Sequence, residues 1–345
     1  MFPTISTGKT YGAFFPWKAL LYPEKCRAIL RGEFPPPVTI HVYPTNRCNN
    51  NCDFCIMRRE RLTGGDLKPA VAEKIVAYAN ANGVGAIHVS GGGEPTLWNG
   101  DMRIFGAFKG TKVLSTNGRA LSLQTARLFD RIRISVNAGT AATYETQTGT
   151  PPGTWDYLVA GITDICQRPD RPTGQEIGLG FVATPANWRE IPMAIRLAQD
   201  VGADFVHIRP AYYPRGTVDD AEIRRLAAAI WHCCEACEGN SNGVQVYGSS
   251  EKFAGYWSPR GFRKCKASPL HAVIAADGRF LVCQDVFERF GDLNNQGFRE
   301  AWESPDHAAA IARINVDDCP RCVMGRPNEI LEHIFERDEI LAGLL

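Results

Sequence analysis

The sequence lacks the features that are typical of nucleic-acid-binding proteins and of membrane proteins. Its formal net charge at pH 7 is only +1 over 345 residues, so no excess of basic residues attracts nucleic acid or an anionic membrane surface. No apolar run is long enough to span a bilayer, and the N-terminus shows no basic region followed by an apolar stretch. These absences predict a cytoplasmic chain with neither nucleic-acid nor membrane partners.

Cysteine, by contrast, is plentiful and grouped. The chain contains twelve cysteines, and thiols in the cytoplasm are normally kept reduced. Grouped cysteines in a reducing compartment indicate metal binding or catalysis more than disulfides. Hydrophobic residues make up 44% of the chain and charged residues 22%, so a folded domain with a large core is expected.

Strand-like and helix-like segments alternate through the first two thirds of the chain. This alternation predicts βαβ units and a parallel sheet, here as a partial (β/α)6 TIM-like barrel, two units short of a closed barrel. The predicted strands cover residues 38–43, 85–89, 111–115, 131–136, 176–182 and 204–208, and the predicted helices lie near 67–81, 120–129, 155–167, 187–200 and 219–236.

The pattern changes after about residue 240. Residues 272–283 read as two β-like runs around Asp277-Gly278, which is a strong hairpin signal. Helices near 297–302 and 305–314 follow. We therefore predict an N-terminal lead-in and two domains, the second a small α+β unit, over residues 1–37, 38–240 and 241–345.

The first cysteine group, Cys48, Cys52 and Cys55, directly follows the first predicted strand. Its C-x3-C-x2-C spacing lets three thiolates bind three irons of a [4Fe–4S] cluster and leaves the fourth iron without a protein ligand. A zinc site and a chance grouping are the alternatives. Structural zinc usually takes four ligands with paired C-x2-C spacing, so the spacing favours the cluster.

These residues, with Phe54, resemble the C-x3-C-x-aromatic-C signature of the radical S-adenosylmethionine superfamily. The resemblance covers about residues 38–210. It implies that the cluster gives one electron to bound S-adenosylmethionine, which breaks into methionine and a 5′-deoxyadenosyl radical. That radical then abstracts a hydrogen atom from a substrate. A flavodoxin or ferredoxin is the expected external reductant.

The resemblance also implies residues that bind the cofactor. Gly91, Gly92, Gly93 and Glu94 resemble the glycine-rich motif that holds the methionyl amine, and residues 177–182 fill the strand whose backbone often reads the adenine. Polar residues at the ends of the third and fourth strands often contact the ribose or the carboxylate, although capping or turn roles remain open for them. They are Ser115, Asn117, Ser135 and Asn137.

A second group of four cysteines lies in the C-terminal unit, at Cys265, Cys283, Cys319 and Cys322. Four such ligands fit either zinc or a fully ligated [4Fe–4S] cluster. The order of a hairpin, a helix and a closing C-x2-C motif resembles the twitch or SPASM extension of radical S-adenosylmethionine enzymes. The four cysteines fit the twitch type, which binds one cluster. The resemblance implies an auxiliary [4Fe–4S] cluster that conducts or accepts electrons.

The remaining cysteines are interpreted as structural residues. Cys233, Cys234 and Cys237 end a predicted helix without an obvious fourth ligand, and buried free cysteine is common. Cys26 and Cys166 are interpreted in the same way.

The substrate is expected to contact residues after the sixth strand. Arg209 can bind a carboxylate or phosphate through two hydrogen bonds, with a structural ion pair as the alternative, and Tyr212 is a second candidate contact. We expect a small polar substrate, such as a sugar, an aminocyclitol or a nucleoside of antibiotic biosynthesis. Oxidation, decarboxylation and epimerisation are the candidate outcomes, so the enzyme would be an oxidoreductase or a lyase. A peptide maturase and a non-catalytic metal-binding scaffold remain alternatives.

Overall fold

The computed structural model describes residues 16–58, 64–211, 219–238, 243–248, 261–319, 322 and 324–336. Within them, ten strands form a single sheet. Numbered along the chain, they are β1 (Thr39–Val42), β2 (Ala86–Val89), β3 (Thr111–Thr116), β4 (Arg131–Ser135), β5 (Glu176–Ala183), β6 (Phe205–Pro210), β7 (Gln245–Gly248), β8 (His271–Ile274), β9 (Phe280–Leu281) and β10 (Arg289–Phe290).

Helices fill the connections between the strands. The α-helices are α1 (Pro23–Leu30), α2 (Pro69–Ala81), α3 (Arg103–Gly106), α4 (Leu123–Ala126), α5 (Ala141–Thr148), α6 (Thr154–Gln167), α7 (Ile191–Val201), α8 (Asp220–Glu238), α9 (Phe298–Trp302), α10 (Pro305–Ala312) and α11 (Gly325–Ile330). A short π-helix, Leu331–Phe335, continues α11. In the part of the chain that the structure describes, no helix combines the length and the apolar character needed to cross a membrane.

The strand order confirms the predicted parallel α/β sheet and extends it. The spatial order is β10-β9-β8-β1-β2-β3-β4-β5-β6-β7. The six predicted strands form β1 to β6 in sequence order, and β7 adds a parallel strand beyond β6. On the other side, β8 pairs in parallel with β1, with Thr39 opposite His271. The sheet thus continues on both sides of residue 240, where the sequence predicts a domain boundary.

The two faces of the central strands differ in polarity. A parallel sheet that is covered on both faces usually has nearly continuous apolar strands, but here apolar and polar residues alternate. The outer face packs against the helices in the main core and includes Ile40, Ile87, Leu114, Ile132, Leu179 and Val206. The inner face carries polar side chains, among them His41, His88, Ser115, Arg133, His207 and Arg209.

The inner face is concave. The pKa of His88 on β2 is lowered by burial first, then by Arg133 and His271, and also by the charge of Arg209 on β6. Strands four positions apart in a flat sheet would be separated by about 19 Å, beyond the range of a strong charge effect in water. The effect of Arg209 on His88 is consistent with a curved sheet in which β2 and β6 face a common lumen, as in a partial barrel.

The predicted hairpin is confirmed as β8 and β9, and it packs into an aromatic cluster of the C-terminal unit. Phe280 on β9 is fully buried. Its ring centroid lies 5.0 Å from that of Phe290, 5.1 Å from that of Phe298 and 5.6 Å from that of Trp302. The Trp302 indole donates a hydrogen bond of 3.0 Å to the carbonyl of Pro35. The cluster therefore ties the hairpin to the segment that precedes β1.

Replacing Phe280 with alanine should destabilise the fold by about 3–5 kcal/mol, because it leaves a cavity among three other rings. Tyr157→Ala is the matched control, since the Tyr157 side chain is 68% exposed and such changes usually stay within about 0.5 kcal/mol. Urea unfolding followed by circular dichroism measures both. Equal urea unfolding midpoints for the two variants would contradict the contribution of the aromatic cluster to stability.

Candidate active site

The first cysteine group lies on the loop that follows β1. Two donors point at Cys48 Sγ: the backbone N–H of Asn50 at 3.5 Å and the Asn117 side-chain amide at 4.0 Å. Cys55 packs against a small apolar cluster that includes Tyr43 and Met57. N–H donors aimed at a sulfur stabilise its thiolate form, which is the form that binds metal. The loop is thus suited to thiolate ligands.

The predicted glycine motif packs directly against this loop. A Cβ on Gly92 would lie 2.1 Å from the Asn46 side-chain oxygen, and a Cβ on Gly93 would lie 2.0 Å from the Arg47 carbonyl oxygen. The Gly93 N–H donates to the Thr45 carbonyl at 2.8 Å. Only glycine permits this approach of two backbones. The glycines therefore hold the cysteine loop in place, besides any contact with a cofactor.

Glu94 joins the glycine motif to the end of β3. Its carboxylate accepts from the backbone N–H and the hydroxyl of Thr96, from the Thr116 hydroxyl at 2.6 Å and from the Asn117 N–H at 2.6 Å. Burial raises the pKa of Glu94, and these hydrogen bonds oppose that shift. Three of the four donors point at Oε1, so Oε2 retains capacity to accept from a cofactor ammonium.

Helix α5 also supports the cysteine loop. The Asn51 N–H donates to the Thr148 carbonyl at 2.7 Å, and the Asp53 N–H donates to the Gln147 carbonyl at 3.1 Å. Helix α5 is absent from the predicted helices, although its boundary signals are present in the sequence. The Thr140 hydroxyl caps its N-terminus, and Gly149 ends it in the left-handed conformation at φ +60°.

The four polar residues predicted at strand ends occupy different surroundings. Ser115 Oγ lies 2.8 Å from His88 Nε2 on the inner face, and the Asn117 amide donates to the Asn49 side chain at 2.6 Å, beside Cys48. Ser135 is on the inner face opposite Gly180. Asn137 has φ +59° and accepts from the Val182 N–H at 2.8 Å. Asn117 is therefore beside the cysteine loop, whereas Asn137 links the ends of β4 and β5.

A cationic region lies deeper in the lumen. Arg133 on β4 is half-buried, its guanidinium lies 3.3 Å from His207 Nδ1, and no described Asp or Glu forms a salt bridge with it. Burial, followed by the charges of Arg209 and Arg131, lowers the pKa of Arg133 to about 9. Arginine is otherwise always charged, so the direction of this shift indicates that the charge is unfavourable here without an anion.

Glycines on β5 make room for this region. A Cβ on Gly180 would lie 3.3 Å from Arg133 Cδ, and a Cβ on Gly178 would lie 2.4 Å from the Phe205 ring. Arg209 and His207 were expected near the substrate from the sequence, but Arg133, His41 and His88 were not singled out. The available signal was the polar–apolar alternation within the strands. Tyr212, the second predicted substrate contact, lies outside the described residues.

The second cysteine group lines a separate cavity between β8, the hairpin and the C-terminal segment. Its walls include Cys265, Cys283, Cys319, Cys322, His271 and Asp285. Burial, followed by the charges of Asp285 and of neighbouring cysteines, raises the pKa of Cys283 well above its usual range. Burial, together with neighbouring cysteines, raises the pKa of Cys322 to about 12. Buried thiols of this kind need bound metal to become thiolates.

Polar groups around this cavity also point at sulfur. The Asn328 amide approaches Cys265 Sγ at 3.9 Å, and the Asp285 N–H donates to Cys283 Sγ at 3.5 Å. Among the described residues, no three His, Cys, Asp or Glu side chains converge on a point as ligands of one metal ion do. The four cysteines nevertheless line one cavity, and a cluster distributes its ligands over several irons.

Two family models match the chain, and together they cover more than half of it. One, described as the radical SAM superfamily, matches residues 42–191, which include the first cysteine group and the glycine motif. The other, the SPASM iron–sulfur cluster-binding domain, matches residues 265–323 and all four cysteines of the second group. The chain belongs to the radical SAM superfamily. As a radical SAM protein with a SPASM-type domain, it uses S-adenosylmethionine, a [4Fe–4S] cluster and auxiliary iron–sulfur chemistry.

Radical SAM relatives resemble this chain to different extents. Pre-heme d1 synthase of Dinoroseobacter shibae is 27% identical over 89% of this chain and 81% of its own length. A probable GTP 3′,8-cyclase of Thermoplasma volcanium is 33% identical, but the match spans only 33% of this chain and 37% of the cyclase. The sequence predictions of family and cofactors are thereby confirmed.

Solved radical SAM structures share the fold. Streptococcus suis SuiB bound to its precursor peptide SuiA has a TM-score of 0.62 and 16% identity, covering 91% of this chain and 75% of SuiB. The protein anSMEcpe with bound AdoMet has a TM-score of 0.58 and 16% identity, covering 80% of this chain and 83% of its own. At this identity the likeness establishes the architecture alone.

The remaining cysteines lie elsewhere. Cys26 and Cys166 are buried; Cys26 Sγ donates to the Ala19 carbonyl, and Cys166 belongs to the main core. Cys233 packs against that core from α8. The side chains of Cys234 and Cys237 lie outside the described residues. The structural interpretation stays a prediction for these cysteines.

Gly93→Ala should displace the cysteine loop, because the new Cβ meets the Arg47 carbonyl. We expect the loss of about half of the roughly eight irons that two [4Fe–4S] clusters supply, with the auxiliary signal retained. Iron analysis and electron paramagnetic resonance (EPR) spectroscopy measure this. Gly161→Ala is the control, since a Cβ there meets nothing within 4 Å. Full iron in the Gly93 variant would refute the tight packing of the two loops.

Proposed function

We propose that this protein is a radical SAM oxidoreductase that abstracts hydrogen from a small anionic substrate bound in the barrel lumen. The observation that carries the proposal is the half-buried Arg133, a cation on the polar inner face that has no described carboxylate partner. The reaction would take place in the cytoplasm, with a flavodoxin or ferredoxin as electron donor.

We assign Cys48, Cys52 and Cys55 as ligands of the radical-generating cluster and Cys265, Cys283, Cys319 and Cys322 as ligands of the auxiliary cluster. When bound, the first cluster supplies the reductive cleavage of S-adenosylmethionine to the 5′-deoxyadenosyl radical. Asn50 and Asn117 donate toward Cys48, and Glu94 Oε2 is the acceptor proposed for the methionyl ammonium. Ser135 and Asn137 are proposed to border the bound nucleoside.

The charge of the lumen supports an anionic substrate. Of the three inner-face arginines, Arg131 is neutralised by an ion pair with Glu176 and lies over the Phe205 ring. Arg133 lacks such a partner among the described residues and senses the positive charge of Arg209. A buried charge is stable only when it is paired. A carboxylate or phosphate between Arg133 and Arg209 would provide that pairing.

This chemistry narrows the class of small polar substrates. Phosphorylated sugars, nucleotides and polycarboxylates carry the negative charge that would pair with Arg133 and Arg209, whereas neutral sugars and aminocyclitols do not. The named substrate of the cyclase relatives, GTP, is itself a polyanion. A natural-product substrate of antibiotic biosynthesis remains within this proposal if it carries an acidic group. A peptide substrate, the alternative suggested by SuiB, would need an acidic side chain at the reacting residue.

Oxidation is the outcome that the auxiliary site favours. Four cysteines would ligate all four irons of that cluster, so no iron is left open to chelate a substrate. Oxidation requires that the substrate radical lose one proton and one electron, and a fully ligated cluster is a suitable electron acceptor. Epimerisation, in which a hydrogen atom is returned to the substrate radical and no electron acceptor is needed, is one competing outcome. Decarboxylation is the other; loss of carbon dioxide from a substrate radical leaves one electron, so it would use the same acceptor as oxidation.

Replacing Cys48, Cys52 and Cys55 together with alanine should abolish 5′-deoxyadenosine formation while leaving about four irons per chain, the content of one [4Fe–4S] cluster. Replacing Cys319 and Cys322 should leave a similar amount of iron, and the first cluster should remain visible by EPR. The protein is reconstituted anaerobically, and 5′-deoxyadenosine is quantified by mass spectrometry with dithionite as reductant. A chain that holds only zinc and forms no 5′-deoxyadenosine would instead be the non-catalytic scaffold.

Arg133→Gln should abolish the stimulation of 5′-deoxyadenosine formation by substrate but preserve the slow cleavage that occurs without substrate. The probes are pooled nucleotides, sugar phosphates and polycarboxylates, with neutral sugars as the comparison. Arg133→Lys, which keeps the charge, should retain part of the stimulation. Stimulation by neutral sugars alone, or equal loss of both activities in the glutamine variant, would refute the anionic lumen.

A further inference from the structure

Three histidines form a continuous row on the inner face of the sheet. His41 on β1 pairs in register with His88 on β2, and His271 begins β8 on the other side of β1. His88 Nδ1 lies 3.1 Å from His41 Nε2. The rings of His41 and His271 meet edge to face, with centroids 4.1 Å apart. The row thus crosses three adjacent strands.

The two ends of the row lie at different sites. At one end, His88 Nε2 lies 2.8 Å from the Ser115 hydroxyl, at the strand end proposed to face the cofactor. At the other end, His271 lines the cavity of the second cysteine group. The three side chains therefore connect the lumen with the auxiliary site through direct contacts.

His271 Nε2 is buried and has no hydrogen-bond partner among the described residues. An imidazole N–H left without an acceptor in the interior costs about 1–3 kcal/mol. The His271 ring contacts His41 and lines the cavity of the second cysteine group. A group held in that cavity is therefore the candidate acceptor for Nε2.

We propose that His271 donates an Nε2–H hydrogen bond to a sulfur of the auxiliary cluster and thereby raises its reduction potential. Hydrogen bonds to cluster sulfurs stabilise the reduced, more negative state. His41 and His88 are positioning residues that fix the His271 ring and, through Ser115, tie it to the lumen. The proposal rests on the assignment of Cys265, Cys283, Cys319 and Cys322 as ligands of that cluster.

The test isolates the auxiliary cluster by using the full chain with Cys48, Cys52 and Cys55 replaced by alanine. EPR-monitored redox titration then gives its midpoint potential. His271→Phe should shift the potential to a more negative value, because phenylalanine keeps the ring and removes the donor. His271→Gln, whose amide can occupy the place of Nε2, should restore most of the potential.

His307→Phe is the matched control. His307 is a buried histidine of the same unit that also lacks a partner at Nε2 within the described chain. Its ring stacks on Phe290 with a centroid distance of 4.0 Å, and it does not line the cysteine cavity. Its replacement should leave the potential unchanged.

A second measurement does not depend on how the phenylalanine variant folds. In protein labelled with ¹⁵N-histidine, pulsed EPR of the reduced auxiliary cluster should detect a weak nitrogen coupling that disappears in His271→Gln. Absence of that coupling, or equal potentials in the His271 variants and the parent, would overturn the proposal. A chain without iron in the triple-alanine background would overturn the ligand assignment itself.

Discussion

Each central strand has one face in the apolar core and the other on a polar lumen. The arrangement of the sheet and its helices depends on this constraint. The outer residues of the strands, such as Ile132 and Leu179, enter the apolar core beneath the helices. The inner residues, such as His88 and Arg133, line a polar lumen. Because successive side chains of a strand point to opposite faces, alternation of apolar and polar residues meets both demands. The curvature of the sheet then gathers the polar groups of separate strands into one site.

The cysteine loop depends on contacts that are distant in sequence but local in space. The glycine motif approaches it from the end of β2, Glu94 links that motif to the end of β3, and α5 supports it from beyond β4. A shift in any of these elements would move the three thiols relative to one another. The three cysteine side chains are short, so their positions depend on how closely these neighbouring elements fix the backbone of the loop.

The features that could be predicted from the sequence are those that depend on short stretches of the chain. The spacing of Cys48, Cys52 and Cys55, the strands of the parallel sheet and the Asp277-Gly278 hairpin all have short-range signals. The pairing of β8 with β1 has none, because it joins segments more than 200 residues apart. Arg133 shows the same difficulty: alternation places it on one face, but its relation to Arg209 depends on the pairing of β4, β5 and β6.

The hydrogen bonds between β8 and β1 have a consequence for electron transfer. They attach the strand that lines the auxiliary cavity directly to the strand that leads into the first cysteine loop. The distance between the cavity of the second cysteine group and the first cysteine loop is therefore set by a continuous piece of sheet. For the two clusters proposed above, an electron passing between them would cross a gap that the fold itself holds constant.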